Sequence, residues 1–585
     1  MAADQSPMNK LITEHIDIWT SAVKTKSISG RGSSKKLELY GIKKLRELII
    51  ELAIQGKLTA SLDFKGSAKK SVEDAIVAKF NLSKERNIRG DKETYSSDRA
   101  KGFPLHWETI CVGQVAHVLG GKRVPKGYKL SEQPTDFVYL RVTDMKNQSI
   151  DESDLRYISE EVFKQISRYT INTGDVYVTI AGTIGAVGTI PPHLDGMSLT
   201  ENAAKLVFSG LSKKYLVTVL QSSFVTRQFN DAVNQMAQPK LSLNSIKHTC
   251  IPIPPLEEQE YIADKVDELM ALCDQLEQQT EASIEAHQVL VTTLLDTLTN
   301  SADADELMQN WARISEHFDT LFTTEESIDQ LKQTILQLAV MGKLVPQDPS
   351  DEPAAELLKR IAEEKAQLLK DKKIKKQKAL PPIAEDEKPF ELPNGWEWCR
   401  FGNVATSRLG KMLDKSKNVG APLPYLRNTN VQWHKFDLDD VKLMKIEDSE
   451  REEFLVLPGD LLICEGGEPG RCAIWEDEKQ EIYFQKALHR ARPLGQCLPE
   501  YLQVCLTVDA TNGVLDNYFT GATIKHFVGA KLNSYIHPLP PVEEQKRIVN
   551  KISDLIKICE QLKCLLRQSQ TTQLHLTDAI VEQAV

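Results

Sequence analysis

IPIPPLEEQEYIADKVDELMALCDQLEQ, residues Ile251–Gln278, and HPLPPVEEQKRIVNKISDLIKICEQLKC, residues His537–Cys564, are one junction written twice. Pro254-Pro255 and Pro540-Pro541 cannot continue a helix but can open one, since proline lacks an amide donor and its ring holds a helical φ. Glu257-Glu258 and Glu543-Glu544 then fall in the first turn, where carboxylates meet the positive end of the helix dipole. Apolar residues recur beyond them at three-four spacing: Ile262, Val266, Leu269, Cys273 and Leu276 in the first copy, Ile548, Ile552, Leu555, Cys559, Leu562 and Leu566 in the second. Such a narrow stripe predicts a long helix of coiled-coil type, with a stutter around Thr280. A helix of about 40 residues is about 60 Å long.

Pro254 and Pro540 are 286 positions apart, and the same shift recurs along the chain. LRELIIELAIQGKL (Leu45–Leu58) matches LKQTILQLAVMGKL (Leu331–Leu344), and YLRVTD (Tyr139–Asp144) matches YLRNTN (Tyr425–Asn430). FPLHWETICVGQVA (Phe103–Ala116) pairs with LPNGWEWCRFGNVA (Leu392–Ala405), and GDVYVTIAGTIG (Gly174–Gly185) with GDLLICEGGEPG (Gly459–Gly470). A repeat this long means duplicated domains rather than a solenoid. The predicted fold class is α+β: two mixed α/β domains joined by a long antiparallel helical pair, with a pseudo-two-fold duplication. The last long helix has its Gly-Lys-Leu partner at the opposite terminus, so the arrangement is expected to be circular. The boundaries read as 1–100, an N-terminal helical region with a basic connector; 101–253, a first globular domain; 254–385, a central helical spacer with a second connector; 386–539, a second globular domain; and 540–585, a terminal helix.

The 585 residues exceed what one hydrophobic core serves. No apolar run reaches membrane-span length, and MAADQSPMNKLITEHIDIW lacks the basic-then-apolar order of a secretion signal. Ten cysteines are scattered with no C-x-x-C pair and no zinc spacing, as expected of reduced thiols in a cytoplasm. G-x-x-x-x-G-K-[ST] is absent, so no phosphate-binding loop of a motor is expected. The glycines of GTIGAVG run into Pro191-Pro192 where a cofactor-binding helix would start, and no Asn-Pro-Pro-Tyr-like tetrapeptide or catalytic triad stands out. The chain reads as non-catalytic, with neither catalytic residues nor metal ligands.

The net charge of −10 is unevenly spread. Residues 251–345 hold four Lys/Arg against 19 Asp/Glu, an acidic scaffold, whereas residues 101–250 hold 16 against 13. Residues 391–540 hold 17 against 21, so phosphate binding there requires the cations to be sorted onto one face. Both connectors are Lys-rich, most clearly KAQLLKDKKIKKQK (Lys365–Lys378), although a charge run is also what a solvated face looks like. Two glycine loops offer cations to a phosphate backbone: LGGKRVPKGYK, with Lys122, Arg123, Lys126 and Lys129, and RLGKMLDKSKN, with Lys411, Lys415 and Lys417.

Taken as a set, the paired proline–EEQ junctions, the YLR-x-T-[DN] segments, the Gly-Asp strands and the Gly-Lys-Leu helices resemble the specificity (S) subunit of type I restriction–modification systems, over essentially Leu37–Glu582. The long N-terminal and central regions are similar to its larger-subunit branch. The resemblance implies two target recognition domains that each read half of an asymmetric bipartite DNA site, with the helices as a ruler. It implies docking of two methyltransferase subunits and of motor-nuclease subunits for adenine methylation or cleavage. It places no cofactor on this chain, and S-adenosylmethionine, ATP and magnesium on its partners. The DNA-contact candidates are Lys122, Arg123, Arg141, Thr183, Asn202 and Lys240 in the first domain, and Lys411, Arg427, Asn430, Arg471, Lys486 and Lys525 in the second, with the Gly-Ala-Thr-Ile-Lys-His loop. Arg141 and Arg427 occur in both copies, which equally fits a framework ion pair. Repeated residues are expected on phosphates and divergent loop residues on bases. The competing reading is a coiled-coil adaptor whose domains bind proteins.

Overall fold

A computed structural model describes residues 7–26, 36–89, 95, 102–234, 239–374, 379–414, 416 and 418–585. Lys92, Arg99 and Lys101 of the first connector, Lys375, Lys376 and Lys378 of the second, and Lys415 and Lys417 lie outside the described residues. The chain is α+β and divides into two compact units, Met1–Ser283 with Ser569–Val585, and Ile284–Gln568.

Six helices frame the units: α1 (Tyr40–Ile54), α2 (Ala68–Glu85), α3 (Leu256–Thr299), α4 (Glu325–Val340), α5 (Ala354–Lys370) and α6 (Val542–Ala584). The proline junctions open α3 and α6, of 44 and 43 residues. In the first unit, the apolar stripe Ile42, Leu45, Ile49 and Leu52 of α1 is buried, and polar ties flank it. Arg46 bridges Asp274 at 2.7 Å and Glu277 at 2.6 Å on α3, while the Tyr40 hydroxyl donates to Asp578 of α6 at 2.7 Å. In the second unit, Ile328, Leu331 and Ile335 of α4 share a core with Leu295 and Leu298 of α3 and with Ile548, Ile552 and Cys559 of α6. Lys332–Glu560 at 2.6 Å and Lys563–Asp329 at 2.5 Å join α4 to α6, and Gln330 donates to Thr292 of α3 at 3.1 Å. The expected helical pair is therefore a trio within each unit, because the Gly-Lys-Leu helix bonds to both long helices.

The two units are also alike outside the segments matched in sequence. Glu14-His15-Ile16-Asp17 and Glu316-His317-Phe318-Asp319 each break a pair of short helices, with the histidine at φ −120°, ψ 20° and φ −111°, ψ 20°. A helix leads through each connector: α2 buries Ala68, Val72 and Ala75, and α5 buries Ala354, Leu357 and Ile361. Lys79 of α2 donates to the Gly113 carbonyl and Lys365 of α5 to that of Gly402, so both lysines belong to the framework.

Three repeated motifs meet at one point in each unit. Glu258, 1% exposed, accepts from Thr59 Oγ1 at 2.7 Å and Trp107 Nε1 at 3.1 Å, and pairs with His106 Nε2 at 3.0 Å. Glu544, also 1% exposed, accepts from Trp396 Nε1 at 2.9 Å and Gln347 Nε2 at 3.2 Å. Burial pushes the Glu544 carboxyl up from its usual range. Gln259 and Gln545, fully buried, accept from the backbone amides of Ser212 and Leu498 and donate to the carbonyls of Pro254 and Pro540. The helix dipole thus explains the first glutamate of each pair, and a buried hydrogen-bond hub explains the second together with the glutamine. Gly56 and Gly342 end α1 and α4 at φ +69° and +71°, where a β-carbon would lie 2.5 Å from Pro104 and Pro393. Only glycine combines that backbone with such close approach.

Each globular domain carries a four-stranded antiparallel sheet with the same order. In the first unit, Val187–Gly188, Val176–Thr179, Ala203–Phe208 and Ala116–Gly120 lie side by side; in the second, Cys472–Ile474, Leu461–Cys464, Leu488–Pro493 and Ala405–Leu409 do. A two-stranded ladder ties the domain's first strand to the one entering the long helix: Glu108–Cys111 with Cys250–Ile253, and Glu397–Arg400 with Ile536–Leu539.

Candidate nucleic-acid interface

Register decides which loops share a rim. In the first unit Gly120 faces Ala204, Ala203 faces Thr179, and Val178 faces Val187, so the loops 121–129, 180–186 and 200–202 leave the same end of the sheet. Backbone bonds lock them together: Lys122 N to Leu199 O at 2.9 Å, Ile180 N to Asn202 O at 2.8 Å, and Leu241 N to Ile180 O at 2.9 Å. Lys122, Arg123, Thr183, Asn202 and Lys240, taken from four separate stretches, come together here. Gly121 permits the approach, since a β-carbon would lie 2.1 Å from the Thr200 carbonyl.

The second unit repeats this. Leu409 faces His489, Cys464 faces Leu488, and Ile463 faces Cys472, gathering residues 410–414, 465–471 and 485–487. Lys411 N bonds to Phe484 O at 3.0 Å, Glu465 N to Ala487 O at 2.9 Å, and Phe527 N to Glu465 O at 2.7 Å. Gly410 plays the part of Gly121, with the Phe484 carbonyl 2.3 Å from a built β-carbon. Lys411, Arg471, Lys486 and Lys525 lie on or beside this rim.

The side chains sort into available and committed groups. Lys122 is exposed, its ammonium 5.6 Å from the Tyr169 ring centre, and the Arg123 side chain is 84% exposed with a 3.8 Å contact to Glu201. Thr183, Lys240 and Lys486 are exposed, Asn202 is half-buried, and Lys525, 52% exposed, leans on Asp516 at 2.9 Å. Arg141 is committed: its Nη2 meets Asp144 at 2.6 Å and Asp154 at 3.2 Å, and Asp144 is almost fully buried. Arg427 repeats the clamp on Asp440 at 2.8 Å, and Asn430, 3% exposed, accepts from the Arg427 amide at 3.0 Å. Lys442 first and Arg427 second hold the Asp440 carboxyl below its usual range. The YLR-x-T-[DN] motif is thus a loop clamp, the framework alternative that the sequence left open.

Two further candidates are likewise engaged. Lys411, 7% exposed, pairs with Glu450 at 2.5 Å, and its hydrogen bond lowers the Glu450 carboxyl. Arg471 bridges Glu468 at 2.7 Å and donates to the Asn428 carbonyl at 2.9 Å. The rims also carry the acids Glu201 and Glu465, which a pattern of loop cations does not single out. The divergence of TIAG from CEGG between the copies was the signal that marked the second of them.

A family model described as the type I restriction modification DNA specificity domain matches residues 104–286 and 393–568, one match in each unit. The chain belongs to this family. As a member it is a DNA-recognition subunit rather than an enzyme, and membership favours that reading over the adaptor. It is similar to the type I restriction enzyme EcoAI specificity subunit of Escherichia coli, 38% identical over 99% of this chain and 100% of that one. It is similar also to the EcoEI specificity subunit of Escherichia coli, 36% identical over the same shares. Among solved structures, the HsdS subunit from Thermoanaerobacter tengcongensis aligns with 82% of this specificity chain and 97% of its own length, at 19% identity and a TM-score of 0.41. Among the described residues of the specificity chain, no helix is long and apolar enough to cross a membrane, and no cluster of His, Cys, Asp or Glu is placed to hold a metal. All ten cysteines are free thiols.

Proposed function

We propose that this chain reads an asymmetric, bipartite DNA target, each domain contacting one half-site through the loop rim of its sheet. The observation that carries this is a shared backbone with unlike side chains: both rims close on the same glycine approach and the same backbone bonds, yet Ile180, Asn202 and Lys240 in one correspond to Glu465, Ala487 and His526 in the other. Common structure suits a common ligand, the duplex, and divergent tips suit different base pairs. The exposed cations Lys122, Arg123, Lys240 and Lys486 supply phosphate contacts.

The long helices act as the ruler between half-sites, in a pseudo-two-fold and circular arrangement closed by the Tyr40–Asp578 contact between the N-terminal and C-terminal regions. Their acidic surfaces face protein: two methyltransferase subunits and the motor-nuclease subunits of the restriction complex. S-adenosylmethionine, ATP and magnesium belong to those partners, and the assembly works in the cytoplasm. The chain itself positions DNA so that a partner flips and methylates an adenine.

The test is long-read modified-base sequencing of a methylation-free bacterial host that expresses this chain with its neighbouring methyltransferase. Methylated adenines in one split motif with a constant gap, absent when this chain is omitted, are the expected result. A stable complex that adds no methylation refutes an active recognition role.

A further inference from the structure

We propose that Glu465 reads a base in the second half-site, accepting a hydrogen bond from an exocyclic amino group in the major groove, as presented by cytosine N4. This rests on the DNA-recognition reading above and deepens it to one residue and one base feature. Glu465 directly follows the strand Leu461–Cys464, at the centre of the rim. Its backbone is held from both sides, by Ala487 O at 2.9 Å and Phe527 N at 2.7 Å. Its side chain is half-buried and has neither a hydrogen bond nor an ion pair among the described residues.

That isolation contrasts with its neighbours. Glu450 is taken by Lys411, Asp516 by Lys525, and Glu468 by both Arg471 and the Trp433 indole at 2.7 Å. A rim carboxylate that no described side chain pairs keeps its acceptor capacity for a donor that a ligand brings. Near phosphates it is repelled, so it suits a DNA-facing rim only where it meets a hydrogen-bond donor. In the major groove the donors are the amino groups of cytosine and adenine, and Glu or Asp to cytosine N4 is the matching pair. The first unit has Ile180 at the same backbone position, 4% exposed, with equivalent bonds to Asn202 and Leu241. The rims therefore differ there in chemistry, not in backbone.

The experiment compares wild type, Glu465→Ala and Glu465→Gln in the full chain, each assembled with its methyltransferase and read by modified-base sequencing. Binding to duplexes varied at each second-half-site position is measured in parallel. The expected result is an unchanged first half-site and loss of preference at one position of the second. Discrimination at that base pair falls at least about fivefold, while binding to unrelated DNA stays equal or strengthens as a negative charge is removed. Glu465→Gln, isosteric and able to donate as well as accept, keeps the fold and broadens the same position. An identical motif at every position in both variants overturns the proposal. So does complete loss of methylation by variants that melt like wild type, because losing one acceptor relaxes one position only. A wild-type chain that directs no methylation refutes the DNA-recognition reading instead, and the two failures are thereby distinguished.

Discussion

Arg123 and Arg141 look alike in sequence and differ entirely in use. Arg123→Ala and Lys122→Ala are expected to weaken binding to all DNA sequences alike and to lower the salt-dependence slope by about one each, with melting unchanged. Arg141→Ala strands the buried Asp144 and should cost about 1–3 kcal/mol of stability, read by thermal denaturation without DNA. Titration offers a second residue-scale check. Burial pushes His489 and His537 down to about 4, and His489 gives its Nε2 proton to the Phe527 carbonyl at 2.7 Å, directly behind the rim. A histidine depressed in the fold contributes stability that is present above its unfolded value near 6.5 and lost as pH falls toward 4. The equivalent first-unit positions are Ile251 and Ala204, so the second unit should lose hydrogen-exchange protection first on acidification, after correction for intrinsic rates.

At the scale of elements, the hub under each proline junction joins a helix end, a domain and a ruler. Glu258→Ala leaves the Trp107 indole without its acceptor and the Thr59 hydroxyl with only the Gly56 carbonyl, and should cost about 1–3 kcal/mol, measured by urea unfolding; Glu258→Gln should cost less by retaining an acceptor. The seam between α4 and α6 predicts an asymmetry. The Lys563 side chain is 9% exposed and its partner Asp329 is 53% exposed. Asp329→Ala strands a buried ammonium and should lower the melting temperature, whereas Lys563→Met returns Asp329 to water and should change stability by less than about 1 kcal/mol. The hub was legible as repeated motifs but not as one place. Gly-Lys-Leu, Pro-x-x-Trp and Pro-Pro-x-Glu-Glu-Gln are up to about 200 residues apart along the chain, and no local rule joins them.

For the whole molecule, the first compact unit is completed by Ser569–Val585, and the 286-residue shift maps that tail onto 283–299. A chain of residues 1 to about 300 therefore carries its own copy of the missing tail, but for a second molecule. It is expected to dimerise and, with the methyltransferase, to direct methylation to a palindromic target built from the first half-site. A monomer in analytical ultracentrifugation would count against the circular arrangement. Swapping residues 101–253 for the domain of a related specificity chain should change one half-site and leave the other and the gap untouched.

The long helices, the α+β class and the family were all readable from sequence, because each rests on patterns local to a helix turn or repeated in register. Lys122, Arg123 and Lys240 were readable too, as cations in loops. Tertiary structure alone decided that Lys411, Arg141, Arg427, Asn430 and Arg471 are bound to buried or neighbouring groups, since a side chain's partner depends on what folding brings beside it. It alone exposed Glu465 as an acid with no hydrogen bond or ion pair among the described residues. Charge is written in the sequence, but whether that charge is spent on the fold or left for a ligand is set by desolvation and pairing across distant strands.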